Sequence, residues 1–242
     1  MRSLLAALSF FSFIPVPGVR ETPQLDGWAL GWAPLVGLLV GGALVGLDAL
    51  FAFLFPHPLR DALLVLGWLV LTGGTHMDGL ADSLDGLGAW ATPQRRLDIL
   101  RDVSSGPFAV AGVAALLIVK TLALAALPSR WPWLLATPVI ARLGMLLVVR
   151  IYPYARPQGL GAGLRADLTA GPLALAGLPA LLVVFLAAQT AGLIAAGIGL
   201  AGALAFGGWA AARLGGGVTG DVYGAAVELT EVLVLLAGVA LG

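Results

Sequence analysis

Three carboxylates recur at Asp78, Asp82 and Asp85, within Gly73-Gly74-Thr75-His76-Met77-Asp78-Gly79-Leu80-Ala81-Asp82-Ser83-Leu84-Asp85-Gly86. On a helix of 3.6 residues per turn, positions i, i+4 and i+7 fall within about 60° of one another, so the three share a face. Like charges that close repel unless a cation sits among them. Acids are scarce here, with 13 Asp and Glu in 242 residues. The chemistry this pattern suggests is a Mg²⁺ site at a membrane edge that handles phosphate. A solvated helix start also favours carboxylates, but it does not need three on one face among glycines. Gly74 and Gly79 let backbone N–H groups or a neighbouring helix approach a ligand. His76, just ahead, reads either as a hydrogen-bonded structural residue or as a member of the site.

Two further groups carry charge in unusual places. Asp221, Glu228 and Glu231 lie near the C-terminus. Asp221 and Glu228, seven residues apart, stack on one helical face, and Glu228 and Glu231 are i, i+3 neighbours. Carboxylates inside an apolar span are costly and face a polar interior. Capping accounts for Asp221 but not for Glu231. Arg150, Arg156 and Arg165 are spaced through a Gly/Pro-rich loop and suit an anion clamp, since guanidinium binds phosphate through paired hydrogen bonds. Tyr152 and Tyr154 in that loop fit an aromatic belt better than a stacking platform. Arg142, Lys120 and Asp48 sit inside apolar stretches. Arg142 is the better candidate for function, and Lys120 is of the type that snorkels.

The elements that carry these groups are apolar. Sixty per cent of the residues are hydrophobic and 11% charged, against about 25% charged in soluble proteins, and the mean hydropathy is +0.99. Repeated apolar runs of about 18 residues or more read as transmembrane helices. In hydrocarbon the backbone must close its own hydrogen bonds, so the fold expected is all-α. Seven spans are expected, over 30–55, 60–76, 106–127, 131–151, 171–189, 191–212 and 225–241. The fifth and sixth form a tight hairpin or one broken element around Gln189-Thr190. All belong to one integral membrane domain, 1–242. The 34 glycines suit close helix packing.

The first 14 residues resemble a signal-peptide core, but Pro15-Val16-Pro17-Gly18 follows in place of a cleavage site, which favours an interfacial or buried N-terminal helix. Thr92 as N-cap and Pro93 in the first turn open a short amphipathic helix carrying Arg95, Arg96 and Arg101. The chain has no cysteine, hence no disulfide and no thiolate metal site. Its net charge of zero gives no sign of nucleic-acid binding.

Positive charge sets the orientation. With the N-terminus in the cytoplasm, Arg2, Arg20, Arg95, Arg96, Arg101, Arg150, Arg156, Arg165 and Arg213 fall inside, and only Arg60 and Arg130 fall outside. Every polar loop of chemical interest is then cytoplasmic. Cation-binding acids, phosphate-binding arginines and permissive glycines on one side point to phosphoryl transfer, where positioning and charge neutralisation do most of the catalysis.

In order and spacing the segments resemble the cobalamin synthase (adenosylcobinamide-GDP ribazoletransferase) family. The resemblance rests on Ile14-Pro15-Val16-Pro17, Pro34-Leu35-Val36-Gly37, Gly74-Thr75-His76-Met77-Asp78-Gly79-Leu80-Ala81-Asp82 with Asp85-Gly86, and Arg95-Arg96 leading to Asp102 and Gly106-Pro107-Phe108. It continues through Tyr154-Ala155-Arg156-Pro157 with Gly159-Leu160-Gly161 and the Thr219-Gly220-Asp221 to Glu228 block. It implies a Mg²⁺-dependent, multi-pass enzyme of a bacterial or archaeal cell membrane. Such an enzyme joins adenosylcobinamide-GDP to α-ribazole, or its 5′-phosphate, and releases GMP. In that setting Mg²⁺ on Asp78, Asp82 and Asp85 would neutralise the diphosphate, and Arg95, Arg96 and Arg156 would hold phosphate oxygens. His76 or one of Asp221, Glu228 and Glu231 would position or deprotonate the attacking hydroxyl. The partners implied are these two small molecules and the bilayer; a homo-oligomer is compatible with the sequence.

Two segments depart from the family pattern. Val103-Ser104-Ser105 stands where Ser-Arg-Ile is usual, and Ser12-Phe13 where Thr-Arg is common. Each removes an arginine; reduced activity, altered affinity and compensation by Arg101 all stay open. The rival readings are a CDP-alcohol phosphotransferase, a UbiA-type prenyltransferase and a cation-coupled transporter. The first needs Asp-Gly-x-x-Ala-Arg with a later Asp-x-x-x-Asp, the second two separated Asn/Asp-rich motifs, and the third acids near mid-membrane.

Overall fold

A computed structural model describes residues 2–14, 16, 25–102, 104–156 and 161–242. Pro15, Pro17 and the 157–160 stretch, which carry parts of the resemblance, Val103, which begins a departure from it, and Arg20, counted for the orientation, lie outside the described residues. The described chain is helical, with one isolated bridge between Tyr154 and Val218. The helices are α1 (Arg2–Phe11), α2 (Gly27–Gly31), α3 (Ala33–Leu54), α4 (Leu59–Leu71), α5 (Thr75–Gly88), α6 (Pro93–Ile99), α7 (Pro107–Ala126), α8 (Trp131–Ile151), α9 (Leu164–Asp167), α10 (Ala170–Arg213) and α11 (Gly220–Leu241). Five apolar stretches, the first combining α2 and α3, are long enough to cross a membrane, and the bent pair α4–α5 would add a sixth. The protein is a multi-pass membrane protein.

The expected second span ends early. At Gly73 (φ 63°) and Gly74 (φ 69°) the backbone enters the left-handed region that only glycine adopts freely. The chain turns there by 94°. α4 is left with 13 residues, about 20 Å of helix. α5, with three aspartates in 14 residues, is no span by itself.

The 44-residue α10 contains the reversal expected near Gln189. That residue has φ 53° and ψ −144°. A Cβ on Gly192 would meet the Val184 carbonyl oxygen at 3.0 Å, whereas an unbroken helix would hold residues eight apart about 12 Å from one another. α10 is therefore two arms. Tyr152 locks the second arm to α8, donating its hydroxyl to the Leu204 carbonyl at 2.8 Å.

α8 is the central post, buried along most of its length against α3, α10 and α11. Gly37 and Gly41 of α3 run against its backbone, and a Cβ at either would come within 2.8 Å of a Pro138 or Leu134 carbonyl oxygen. Such close approach gives van der Waals packing where lipid removes the usual hydrophobic drive. Thr92 caps α6 as expected, accepting from the Arg95 N–H at 3.4 Å. At the opposite end of the bundle, Arg60 grips Asp48 at 2.6 and 3.0 Å, and Arg130 bonds both Asp48 and Asp61. Asp48 thus answers the outer arginines, not Arg142 or Lys120.

Candidate active site

The site forms where α5 crosses α11. A Cβ on Gly79 would stand 2.8 Å from the Asp221 carbonyl oxygen and 3.2 Å from Gly224 Cα; one on Gly224 would meet the His76 carbonyl at 3.1 Å. Only glycine on both helices permits this approach. Its consequence is electrostatic: Asp221 of α11 comes up beside Asp78 and Asp82 of α5. Burial, then the charges of Asp78, Asp221 and Asp85, raise Asp82 to a pKa of about 6, against a weaker opposing pull from Arg156. Thr219 donates its hydroxyl to Asp221 Oδ2 at 3.0 Å.

The loop after α8 is brought in by the isolated bridge. The Val218 N–H donates to the Pro153 carbonyl at 2.9 Å, and the Ala155 N–H donates to the Val218 carbonyl at 2.8 Å. Arg156 follows directly, with Nη2 3.6 Å from Asp221 Oδ2. Its Nε and Nη2 are buried without a hydrogen-bond partner among the described residues. Apart from that long ion pair these donors are unspent among the described residues, as an anion site requires.

Behind this polar mouth lies a cavity of about 330 Å³. Asp78, Asp221 and Arg156 line its opening, and Phe10, Phe11, Leu30, Met145, Leu164 and Tyr223 are among its apolar walls. His76 also faces it, buried and stacked on Phe11 at 6.2 Å between ring centroids. A second cavity of about 470 Å³ shares Tyr154 and Gly161 with the first and is lined by Arg150 and Arg165.

Of the residues singled out from sequence, the fold gathers Asp78, Asp82, Gly79, His76, Asp221 and Arg156. The others serve elsewhere. Gly74 makes the bend. Asp85 turns to the start of α7, where it accepts from the Gly106 N–H at 2.5 Å and the Ala109 N–H at 3.0 Å. Arg96 donates to the Ala89 carbonyl at 3.1 and 3.2 Å and to the Arg213 carbonyl at 3.0 Å, strapping α6 to the end of α10. Arg95 is exposed on α6.

Glu228, Glu231 and Arg142 form a buried network with Lys120 instead of reaching the cavity. Lys120 Nζ donates to both glutamates at 2.6 Å, and Arg142 Nη1 donates to Glu231 at 2.5 Å. Lys120 therefore does not snorkel. Two cations balance two anions, and the arrangement ties α7 and α8 to α11 below the crossing. The cavity wall of Phe10, Phe11 and Tyr223 went unremarked in the sequence, because single aromatics among apolar residues carry no distinguishing pattern.

As the side chains lie, no three His, Asp or Glu groups among the described residues are disposed to hold one metal ion. The donor chemistry nevertheless suits Mg²⁺, which prefers oxygen ligands and in phosphate sites uses one or two carboxylates plus the substrate's own oxygens. The neighbouring acids that lift Asp82 are the surroundings a divalent cation relieves.

The profile of the cobalamin-5-phosphate synthase family matches residues 3–239. The chain belongs to that family. Among its relatives, an adenosylcobinamide-GDP ribazoletransferase of Deinococcus radiodurans is 43% identical, over 97% of this chain and 84% of its own length. Proteins of the same name from Synechococcus elongatus and Brevibacillus brevis are 41% and 34% identical, each aligned over more than nine-tenths of both chains. No solved structure matches the chain. As a member of the cobalamin-5-phosphate synthase family the protein is an enzyme, and the CDP-alcohol phosphotransferase and transporter readings are left without support. The family resemblance read from the order and spacing of segments along the chain is borne out.

Proposed function

We propose that this enzyme transfers the cobinamide-phosphate part of adenosylcobinamide-GDP to α-ribazole or its 5′-phosphate, releasing GMP. The observation that carries the reading is the meeting of Asp78, Asp221 and the Arg156 guanidinium, whose Nε and Nη2 make no hydrogen bond among the described residues, at an apolar cavity, with Asp82 alongside. Asp78 and Asp82 would hold Mg²⁺, which when bound neutralises the charge of the diphosphate. Arg156 takes phosphate oxygens through Nε and Nη2, which make no hydrogen bond among the described residues. The acceptor's ribose hydroxyl attacks the phosphorus nearer cobinamide, the bond from that phosphorus to the oxygen bridging to GMP breaks, and GMP departs with the bridging oxygen. Asp221 accepts the hydroxyl proton, its carboxylate oriented by Thr219 and Arg156. The apolar wall keeps water from competing as nucleophile.

The segments at this end of the bundle hold Arg95, Arg96, Arg150, Arg156 and Arg165, and this excess of positive charge supports a mouth that faces the cytoplasm. The cysteine-free chain makes that testable. A Ser104→Cys variant is expected to take a membrane-impermeant thiol reagent only after permeabilisation, and a Ser129→Cys variant in intact cells; the reverse pattern overturns the orientation.

The activity is tested by incubating detergent-purified protein with adenosylcobinamide-GDP, α-ribazole and Mg²⁺ and measuring adenosylcobalamin and GMP by mass. Equimolar products that vanish on chelation are expected. Absence of product from folded protein overturns the reading.

A further inference from the structure

Two nucleoside-bearing substrates meet in the proposed reaction, and the cavity behind the carboxylates has room for one nucleoside. Its volume, about 330 Å³, lies at the lower end of small-molecule sites, roughly 300–1,000 Å³. A tetrapyrrole carrying a nucleotide diphosphate does not fit inside. The walls narrow the choice between the two nucleosides. Phe10, Phe11, Leu30, Met145, Leu164 and Tyr223 present aromatic and aliphatic surface. Guanine, whose edge carries several donors and acceptors, would leave them unpaired against such walls, and each unpaired group costs about 1–3 kcal/mol. An alkylated benzimidazole is apolar apart from one free ring nitrogen.

Of the polar side chains that line the cavity, His76 is the one stacked on its aromatic wall. His76 is 3% exposed, and its Nε2 has no hydrogen-bond partner among the described residues. Phe11 stacks on its ring with the planes 29° apart, so a flat heterocycle has a ready-made aromatic step beside the imidazole. α1 is held over the cavity from its own C-terminal end: the Phe13 N–H donates to the Leu71 carbonyl at 3.1 Å, which pins α1 to the end of α4 and keeps Phe10 and Phe11 in place.

We infer that this cavity is the acceptor subsite. The benzimidazole of α-ribazole enters it between Phe11 and Tyr223, with its free ring nitrogen accepting from His76 in the Nε2–H tautomer. The ribose is left at the mouth, beside Asp221 and Arg156. The corrinoid and the guanosine stay outside. His76 is then a specificity residue for the acceptor base and not the general base.

This inference rests on the proposed reaction, and the test separates the two. Equilibrium binding of radiolabelled α-ribazole to the wild-type protein in detergent, without metal or co-substrate, is measured against competing free dimethylbenzimidazole or GMP. Displacement by the benzimidazole and not by GMP is expected. Displacement by GMP alone, or no binding of α-ribazole, overturns the subsite whether or not the enzyme makes product. In steady state, Phe11→Leu and His76→Phe are expected to raise the KM for α-ribazole by about tenfold or more, with the KM for adenosylcobinamide-GDP within twofold of wild type. His76→Gln, which keeps a donor, is expected to recover most of the loss. A rise confined to the adenosylcobinamide-GDP KM, or shared equally by both, overturns the inference while leaving the reaction standing.

Discussion

The Gly106 N–H donates to the Asp85 carboxylate at 2.5 Å, and a Cβ on Gly106 would stand 2.8 Å from the other oxygen of that carboxylate. The third acid of the aspartate motif is therefore the N-terminal cap of α7, received by a residue that has no side chain to obstruct it. Charge at a helix start is stabilising because the first N–H groups lack partners. The motif divides its labour: Asp78 and Asp82 face the site, and Asp85 anchors the helix that follows.

That division predicts opposite phenotypes. Asp85→Ala is expected to cost about 1–2 kcal/mol of stability, the usual worth of a cap, and to retain most turnover once folded. Asp82→Asn is expected to lose about 100-fold or more in kcat, as when a preorganised electrostatic group is removed. Its metal-free melting temperature at pH 7.5 is expected to be raised, not lowered, because a carboxylate whose pKa is held up at about 6 is removed. Thermal melts in detergent beside product assays distinguish them; a swap of the two phenotypes refutes the assignment.

Gly79→Ala adds a Cβ that would lie 2.8 Å from the Asp221 carbonyl oxygen. Backbone cannot swing aside as a flexible side chain can, so α5 and α11 must part. A stability loss of about 1–3 kcal/mol is expected, together with a fall in kcat that Asp82→Asn does not deepen additively. The same alanine at Gly42, where a Cβ meets nothing within 4 Å, is the control and should leave activity intact.

Inside the bundle, Lys120 holds Glu228 and Glu231 at 2.6 Å each. Removing one member of such a group strands a buried charge. Lys120→Met alone is expected to destabilise by about 3–5 kcal/mol. Lys120→Met combined with Glu228→Gln should cost clearly less than the sum of the two single changes, because the double variant leaves Arg142 and Glu231 as a balanced pair. A double-mutant cycle on unfolding in mixed micelles measures the coupling; simple additivity would contradict the network.

Asp82 titrates at about 6, against 3.8 for an unperturbed carboxyl. A folded-state pKa raised in this way means that the folded protein binds more protons than the unfolded chain between those two values. Its contribution to stability is present at lower pH and is lost as pH rises from about 3.8 to about 6. A cation among the carboxylates reverses the penalty. Mg²⁺ is therefore expected to raise the melting temperature at pH 7.5 and to have little effect at pH 5; equal effects at both would argue against binding at Asp82.

Much of this protein is legible in the sequence because its causes are local. Hydrocarbon demands helices, so the apolar runs announced an all-α membrane protein, and most span boundaries fall within a few residues of those read from the chain. Thr92 and Pro93 announced the start of α6, since capping depends on neighbours in sequence. The Gly73–Gly74 pair was noted for ligand approach, yet it ended a span early; a positive φ at both positions depends on how α4 and α5 pack, and composition does not report it.

Which acid meets which base is settled by helix crossings that sequence spacing does not encode. Periodicity put Asp78, Asp82 and Asp85 on one face, but a face is not a partner. Only the contact between Gly79 and Gly224 delivers Asp221 to that face, and only the position of α7 takes Asp85 away from it. Likewise the periodicity that aligned Glu228 with Asp221 held along α11 itself, while Lys120 and Arg142, from two other helices, claimed the glutamates. Sequence alone determined the membrane setting, the kinds of chemistry at hand and the family resemblance. Tertiary structure decided which residues share a site, because charge and hydrogen bonding act over a few ångströms, and those distances are set by packing between segments far apart in the chain.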